Sequence, residues 1–276
     1  MEYGLKNVLR FYDKKEKQNR YYGYVNGNLR TWRLYCDVYL LLSFQIEVST
    51  SASDFVVNLV DADDETSVNI TSYFDTTGTD ANLYLQTFDD FKYLIYNRSK
   101  NLTSTIPQGI YYLHVVCGGS NYYSEVFHVS DLSDKLIIDY YHSSDIDGID
   151  YTNGDYAQFS NKLVVDTKLN RPRHEYEEDG TEDGEGEFLP TFQKIVKRYR
   201  FIFYAPEYIV DAVMLLPLHD TINVATANAT NQNENLTNTK SWVVDVDWND
   251  TKGFAKITCE FHTEAITLTP CANNVT

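Results

Sequence analysis

Apolar positions in the first half of the chain fall into short runs with strand-like alternation. After LYCDVYLLLSFQIEV come DFVVNLV, SVNITSYF, NLYLQTF, FKYLIYN, GIYYLHVV and NYYSEVFHV, separated by clusters of Asp, Gly, Ser and Thr. β-branched and aromatic residues suit a pleated, half-buried surface, and strands at this spacing predict an immunoglobulin-like β-sandwich over residues 38–130. In GIYYLHVV, Tyr111, Leu113 and Val115 share one face, while Tyr112, His114 and Val116 share the other. Gly118-Gly119 then supplies a tight turn, and NYYSEVFHV returns with bulky residues on both faces, so its inward register stays open. Two bulky faces on an edge hairpin predict that the edge is covered by another domain or another subunit.

Residues 131–276 read as a second β-rich domain with one short helix. KLIIDYY, KLVVDTKL and HEYEE are strands, an acidic loop covers 175–187, and FQKIVKRYRFIFYA is a long strand. Pro206 opens a helix over 206–215, with Ile209, Val210, Val213 and Met214 as its apolar stripe. TINVAT, SWVVDVDW and FAKITCEFHTEAITL close the domain. Residues 1–37 precede the sandwich as a basic, aromatic arm, in which Asn26-Gly27 between aromatic runs predicts a small hairpin. The fold class is therefore mainly β: arm, sandwich, then second β-rich domain.

Charge sharpens this picture. The net charge is −17, yet residues 1–33 carry eight Lys and Arg against three acids, +5, which leaves −22 for the remainder. A basic arm invites nucleic acid, but the acidic body repels a phosphate backbone, so protein docking is the stronger reading. The candidate interface on the arm is Arg10, Phe11, Lys14, Lys15, Arg20, Tyr21, Tyr22, Tyr24, Arg30, Trp32 and Arg33. Its acceptor is the acidic run Glu177, Glu178, Asp179, Glu182, Asp183, Glu185 and Glu187, whose plainer reading is a solvated hairpin tip.

Catalytic patterns are absent from the sequence. The six histidines form no HExxH, and neither G-x-S-x-G nor a P-loop occurs. His114 and His128, on adjacent strands, are expected as structural histidines. Asp145, Asp147 and Asp150 depart from the spacing of a calcium loop and read as an Asp-Gly turn. Cys36, Cys117, Cys259 and Cys271 lie far apart without metal spacing and read as reduced, buried thiols. No enzymatic activity, metal or cofactor is expected. No apolar run reaches the ~20 residues of a membrane helix, and the start has no apolar signal region, so neither membrane nor secretion is expected. The seven N-x-S/T sites follow from an Asn- and Thr-rich composition.

The segments GIYYLHVVCGGSNYYSEVFHVSD, HSSDIDGIDY and KLVVDTKLNRPRHEYEEDGTEDGEGEFLPTFQKIVKRYRFIFYAPEYIVDAVMLLPLHDTI give the chain a further likeness. Over about residues 105–265 it resembles β-rich virion proteins of tailed phages and prophages of Bacteroides, crAss-like phages among them. The resemblance implies a structural protein of the neck or tail, one ring in a stack below the portal. Its partners would then be copies of itself and neighbouring virion proteins, in a virion assembled in the host cytoplasm. It carries no individual site residue and leaves the arm unmatched. The alternative is a carbohydrate-binding or adhesin-like sandwich, for which Trp242 and Trp248, on one face of SWVVDVDW, are the stacking candidates.

Overall fold

The computed structural model describes residues 2–3, 8–15, 34–78, 81–88, 91–98, 101–145, 149, 151, 159–182, 184–226, 235–249, 254–263 and 266–268. Among these the chain is mainly β, with several sheets and one short α-helix. Its first half contains β1 (Glu2–Tyr3), β2 (Phe11–Tyr12), β3 (Leu34–Cys36), β4 (Phe44–Val48), β5 (Phe55–Asp61), β6 (Ser67–Asn69) and β7 (Leu83–Phe88). These are followed by β8 (Phe91–Tyr96), β9 (Gly109–Cys117), β10 (Ser120–Ser124) and β11 (Phe127–Val129).

Two sheets result. In one, β9 lies between β5 and the pair β10 and β11; β6 extends beyond β5, while β2 and β3 line the far edge. The other runs β4-β8-β7. Counted from β3, with β6 as an additional strand beside β5, the smaller sheet holds the second, fifth and fourth strands and the larger the third, sixth and seventh, the division of an immunoglobulin sandwich, although β3 joins the larger sheet. Alternation explains the core. Val57, Leu59, Leu113 and Val115 from the larger sheet and Phe44, Ile46, Leu83 and Leu94 from the smaller are all buried in one cluster. Gly118 and Gly119 take φ of 55° and 80°, the left-handed pair that a two-residue hairpin turn requires. A side chain at Gly118 would also strike Ala52, because an added Cβ lies 2.8 Å from the Ala52 Cβ.

The last strand is broken, which explains why its register resisted pattern reading. Tyr122 and Ser124 are buried before the break and Phe127 and Val129 after it, so the inward parity shifts by one residue at Glu125-Val126. Ser124 holds the break: its Oγ accepts from the Leu113 N–H at 2.8 Å and donates to the Glu125 carbonyl at 2.8 Å. The break also changes partners. β10 pairs antiparallel with β2, whereas β11 pairs in parallel with β3.

The edge is thus covered by the chain's own N-terminal segment, where another domain or subunit was expected. Val8, Leu9, Phe11, Tyr12, Leu34 and Cys36 are buried core residues. Residues 1–37 are therefore not a detached arm: hydrophobic burial draws residues 8–12 and 34–36 into the sandwich, while residues 1, 4–7 and 16–33 lie outside the described residues. The expected hairpin at Asn26-Gly27 falls in the last of these stretches.

The second half contains β12 (Leu136–Tyr141), β13 (Asn161–Val165), β14 (Arg173–Glu182), β15 (Phe188–Pro206), α1 (Glu207–Met214), β16 (Thr221–Thr226) and β17 (Asn235–Leu236). After these come β18 (Lys240–Asn249), β19 (Phe254–His262) and β20 (Ile266–Leu268). One sheet runs β13-β12-β16-β17 and another β14-β15-β19-β18, with β20 also on β15. Pro206 has extended φ/ψ and caps α1 rather than entering its first turn, where Glu207 faces the favourable end of the dipole. Ile209, Val210 and Val213 are buried as the stripe predicts, joined by Tyr208 and Ala212, whereas Met214 is half exposed. The main core is continuous across both halves, from Val8 through Phe44 and Leu113 to Phe201, Val213 and Ile257. A second cluster sets Ile95 of the smaller sandwich sheet against Tyr151 and Phe159.

Candidate interaction surface

β14 and the first half of β15 form an antiparallel hairpin from Arg173 opposite Arg198 to Glu182 opposite Phe188, with a bulge between Asp179 and Gly180. The acidic run 175–187 is therefore not a loop. It is strand as far as Glu182, and the described residues 184–187 form the tip before Phe188. Asp and Glu have weak strand propensity, but the partner strand supplies backbone bonds and cross-strand cations that override it. Every described side chain of β14 is exposed or half exposed.

Alternation gives the hairpin two unlike faces. On one, Lys194 pairs with Glu177 at 3.1 Å and Arg198 with Glu175 at 2.5 Å, so the carboxylates are compensated within the hairpin. On the other, Tyr176 stands opposite Ile195, Glu178 opposite Gln193, and Glu182 opposite Phe188. Here Tyr176 is 56% exposed, Phe188 50% and Ile195 43%, values that make them a surface stripe and not a core. Glu178 accepts a 2.6 Å hydrogen bond from the Tyr176 hydroxyl, and among the described residues no cation pairs with Glu178 or Glu182. That carboxylate raises the Tyr176 pKa by holding the phenol proton.

The other expected contact residues divide sharply. Phe11 is fully buried with its ring 4.9 Å from that of Phe44, so it packs the chain's own core and is not an anchor for a neighbour. Arg10 lies over the Tyr208 ring at 4.7 Å and reaches Asp211 at 3.5 Å, and Lys15 pairs with Glu65, which also accepts from the Tyr112 hydroxyl at 2.8 Å. These two cations are consumed within the chain. Lys14 is exposed, while Arg20, Tyr21, Tyr22, Tyr24, Arg30, Trp32 and Arg33 lie outside the described residues. On the acidic side, Glu177 is compensated by Lys194 and Asp179 accepts from the Gly180 N–H at 2.9 Å. Glu185 and Glu187 are exposed at the tip, and Asp183 is outside the described residues.

Comparisons of this chain with protein-family models, with curated proteins and with solved structures find no match.

The remaining chemical candidates serve the fold. His114 stacks on Tyr123, centroids 4.6 Å apart, and bonds Asn121 at 2.9 Å, whereas His128 packs beside Tyr35 at 5.7 Å; the two histidines take separate partners. Asp145 accepts from the Tyr151 N–H at 3.0 Å, and Asp147 and Asp150 lie outside the described residues. No cluster of three metal-ligating side chains occurs among the described residues. Trp242 and Trp248 do share a face, but it is the inner one: Trp242 is buried, stacked 4.6 Å from Phe261, with its Nε1–H donating to Thr239 at 2.8 Å. Trp242 is thus closed to a sugar, and Trp248 alone is open. Cys36, Cys117 and Cys259 are buried and unpaired, as expected, while Cys271 lies outside the described residues.

A buried polar chain escaped the sequence reading. Asn161 donates to the Tyr151 hydroxyl at 2.9 Å, and that hydroxyl is 2.8 Å from His219 Nε2. His219 Nδ1 is 2.9 Å from the Leu215 carbonyl, which can only accept, so Nδ1 carries the proton and Nε2 accepts from Tyr151. Burial holds His219 below its usual pKa, and Tyr140 packs edge-on at 4.7 Å. Tyr151 and His219 are 68 residues apart, and no local motif links them.

Proposed function

We propose that this chain is a non-enzymatic structural subunit of a phage virion that joins copies of itself in a ring of the neck or tail. The virion assignment rests on the resemblance of residues 105–265 to Bacteroides phage proteins, with assembly in the host cytoplasm and neighbouring rings as further partners. The observation that carries self-assembly is the β14–β15 hairpin, whose outer face exposes Tyr176, Ile195 and Phe188 together. Exposed apolar side chains set among carboxylates, with two cross-strand pairs separating Phe188 from Tyr176 and Ile195 on the same face, cost solubility in an isolated monomer and become useful once a partner covers them. Contact through a repeated, unlike pair of surfaces closes into a ring when the rotation between copies is fixed.

Sedimentation and electron microscopy of the full-length protein test this. Concentration-dependent association into closed rings is the expected result, and a strictly monomeric chain at every accessible concentration overturns the reading. Deleting residues 1–33 is a poor test because it removes Val8, Leu9, Phe11 and Tyr12 from the core. Replacing residues 16–33 with a flexible linker of equal length keeps that core and is expected to leave the circular dichroism unchanged while abolishing rings.

A further inference from the structure

We infer that the outer face of the β14–β15 hairpin is the receptor for residues 16–33 of a second copy of this chain. The inference rests on the self-assembly reading and assigns its two contacting surfaces. The receptor is the face of Tyr176, Ile195, Glu178, Glu182 and Phe188, which carries two carboxylates against the single cation Lys197, whereas on the opposite face Lys194 and Arg198 pair with Glu177 and Glu175. A ligand for the outer face must therefore bring positive charge and flat apolar area together. Residues 16–33 do both: Lys17, Arg20, Arg30 and Arg33 against Glu16 give +3, interleaved with Tyr21, Tyr22, Tyr24 and Trp32. Arg10 and Lys15 are not available for this, since Arg10 is spent on Tyr208 and Asp211 and Lys15 on Glu65, whereas Lys14, next to the segment, is exposed.

The described residues on either side of the segment are held in the fold. Lys15 is tied to Glu65, and Leu34 is paired with Phe127 in the parallel β3–β11 contact. Aromatic rings docked on Tyr176, Ile195 and Phe188 supply buried area, while Arg on Glu178 and Glu182 sets register and discourages wrong partners.

Charge reversal on each side separately, then mixing, tests the assignment by sedimentation velocity. Glu178→Lys with Glu182→Lys, both on the exposed hairpin, is expected to weaken self-association at least about tenfold, as is Arg20→Glu with Arg30→Glu. Asp245→Lys with Asp247→Lys, an equal charge change on exposed positions of β18, is expected to leave association within about twofold. Mixing the two weakened variants restores one intact contact, the native segment of one on the native hairpin of the other, and yields a 1:1 dimer that grows no further. If the hairpin variant assembles like the native chain while the segment variant does not, the receptor assignment is overturned and self-assembly stands. Concentration-independent protection of the hairpin, with no dimer on mixing, shows docking within one chain and also overturns it. A native chain that stays monomeric overturns both.

Discussion

The Arg10 guanidinium lies over the Tyr208 ring, 4.7 Å from its centroid, and so joins the segment that enters the sandwich to the helix of the second half. Asp211, one helical turn from Tyr208, approaches the same guanidinium at 3.5 Å but is mostly exposed, so the ring contact dominates. Arg10→Ala is expected to lower stability by about 1–2 kcal/mol, in line with a largely desolvated cation–π contact. Arg10→Lys keeps the charge but loses planar stacking and is expected to recover only part of that. Urea unfolding of the full-length variants measures both.

Phe11→Ala is expected to cost about 3–5 kcal/mol, as for other fully buried aromatic truncations. A surface anchor would give a loss of assembly with unchanged stability instead. Chemical denaturation beside sedimentation separates these outcomes.

His219 governs an acid limb of stability. Its pKa is lowered by burial, so below the ordinary value of about 6.5 the unfolded chain takes a proton that the folded chain refuses. Stability from this residue is complete above about pH 6.5 and is lost as pH falls below it. His219→Gln is expected to flatten the fall in melting temperature between pH 7 and pH 5 relative to the native chain. An unchanged slope contradicts the neutral, Tyr151-bonded ring.

The three described cysteines are expected to resist alkylation at pH 8 in the folded protein and to react fully in denaturant. Burial pushes Cys36 to about 12 and Cys117 to about 11, and raises Cys259 as well, so almost no thiolate is present to react. Mass-spectrometric mapping of iodoacetamide adducts at each position provides the check.

Trp248→Ala is expected to change stability by under about 0.5 kcal/mol, as exposed positions usually do, whereas Trp242→Ala loses about 3–5 kcal/mol. Glycan binding that disappears in a folded Trp248→Ala protein supports the carbohydrate-binding alternative. Denaturation curves paired with glycan arrays read both.

Strand identity was legible wherever residues such as Val57, Leu59, Leu113 and Val115 alternate against a buried sheet, because burial of one face writes a period of two into the sequence. Three other features were not. β2 and β3 are two and three residues long, too short to show any period, and it is pairing, of β2 with β1 and β10 and of β3 with β11, that makes them strands. The parity shift at Glu125-Val126 hid the register of the last strand, since a bulge exchanges the two faces. β14 carries no apolar alternation because neither of its faces is buried, so its acids resembled a loop. Of the candidate contact residues, sequence found the acidic run but had no means to tell Glu177, neutralised by Lys194, from Glu178, which is not.

The length of β15 has a mechanical consequence. It is one unbroken strand from the hairpin tip to the helix, 19 residues or roughly 60 Å at ~3.3 Å per residue. Its inner portion is stitched to β19 by nine successive pairs from Arg198 to Pro206. A load along the strand falls on all of these pairs at once, in shear, whereas a sideways load peels them one after another. The hairpin is thus a stiff beam cantilevered from the core: it resists axial tension far better than bending, and strain applied at its tip is delivered directly to the base of α1.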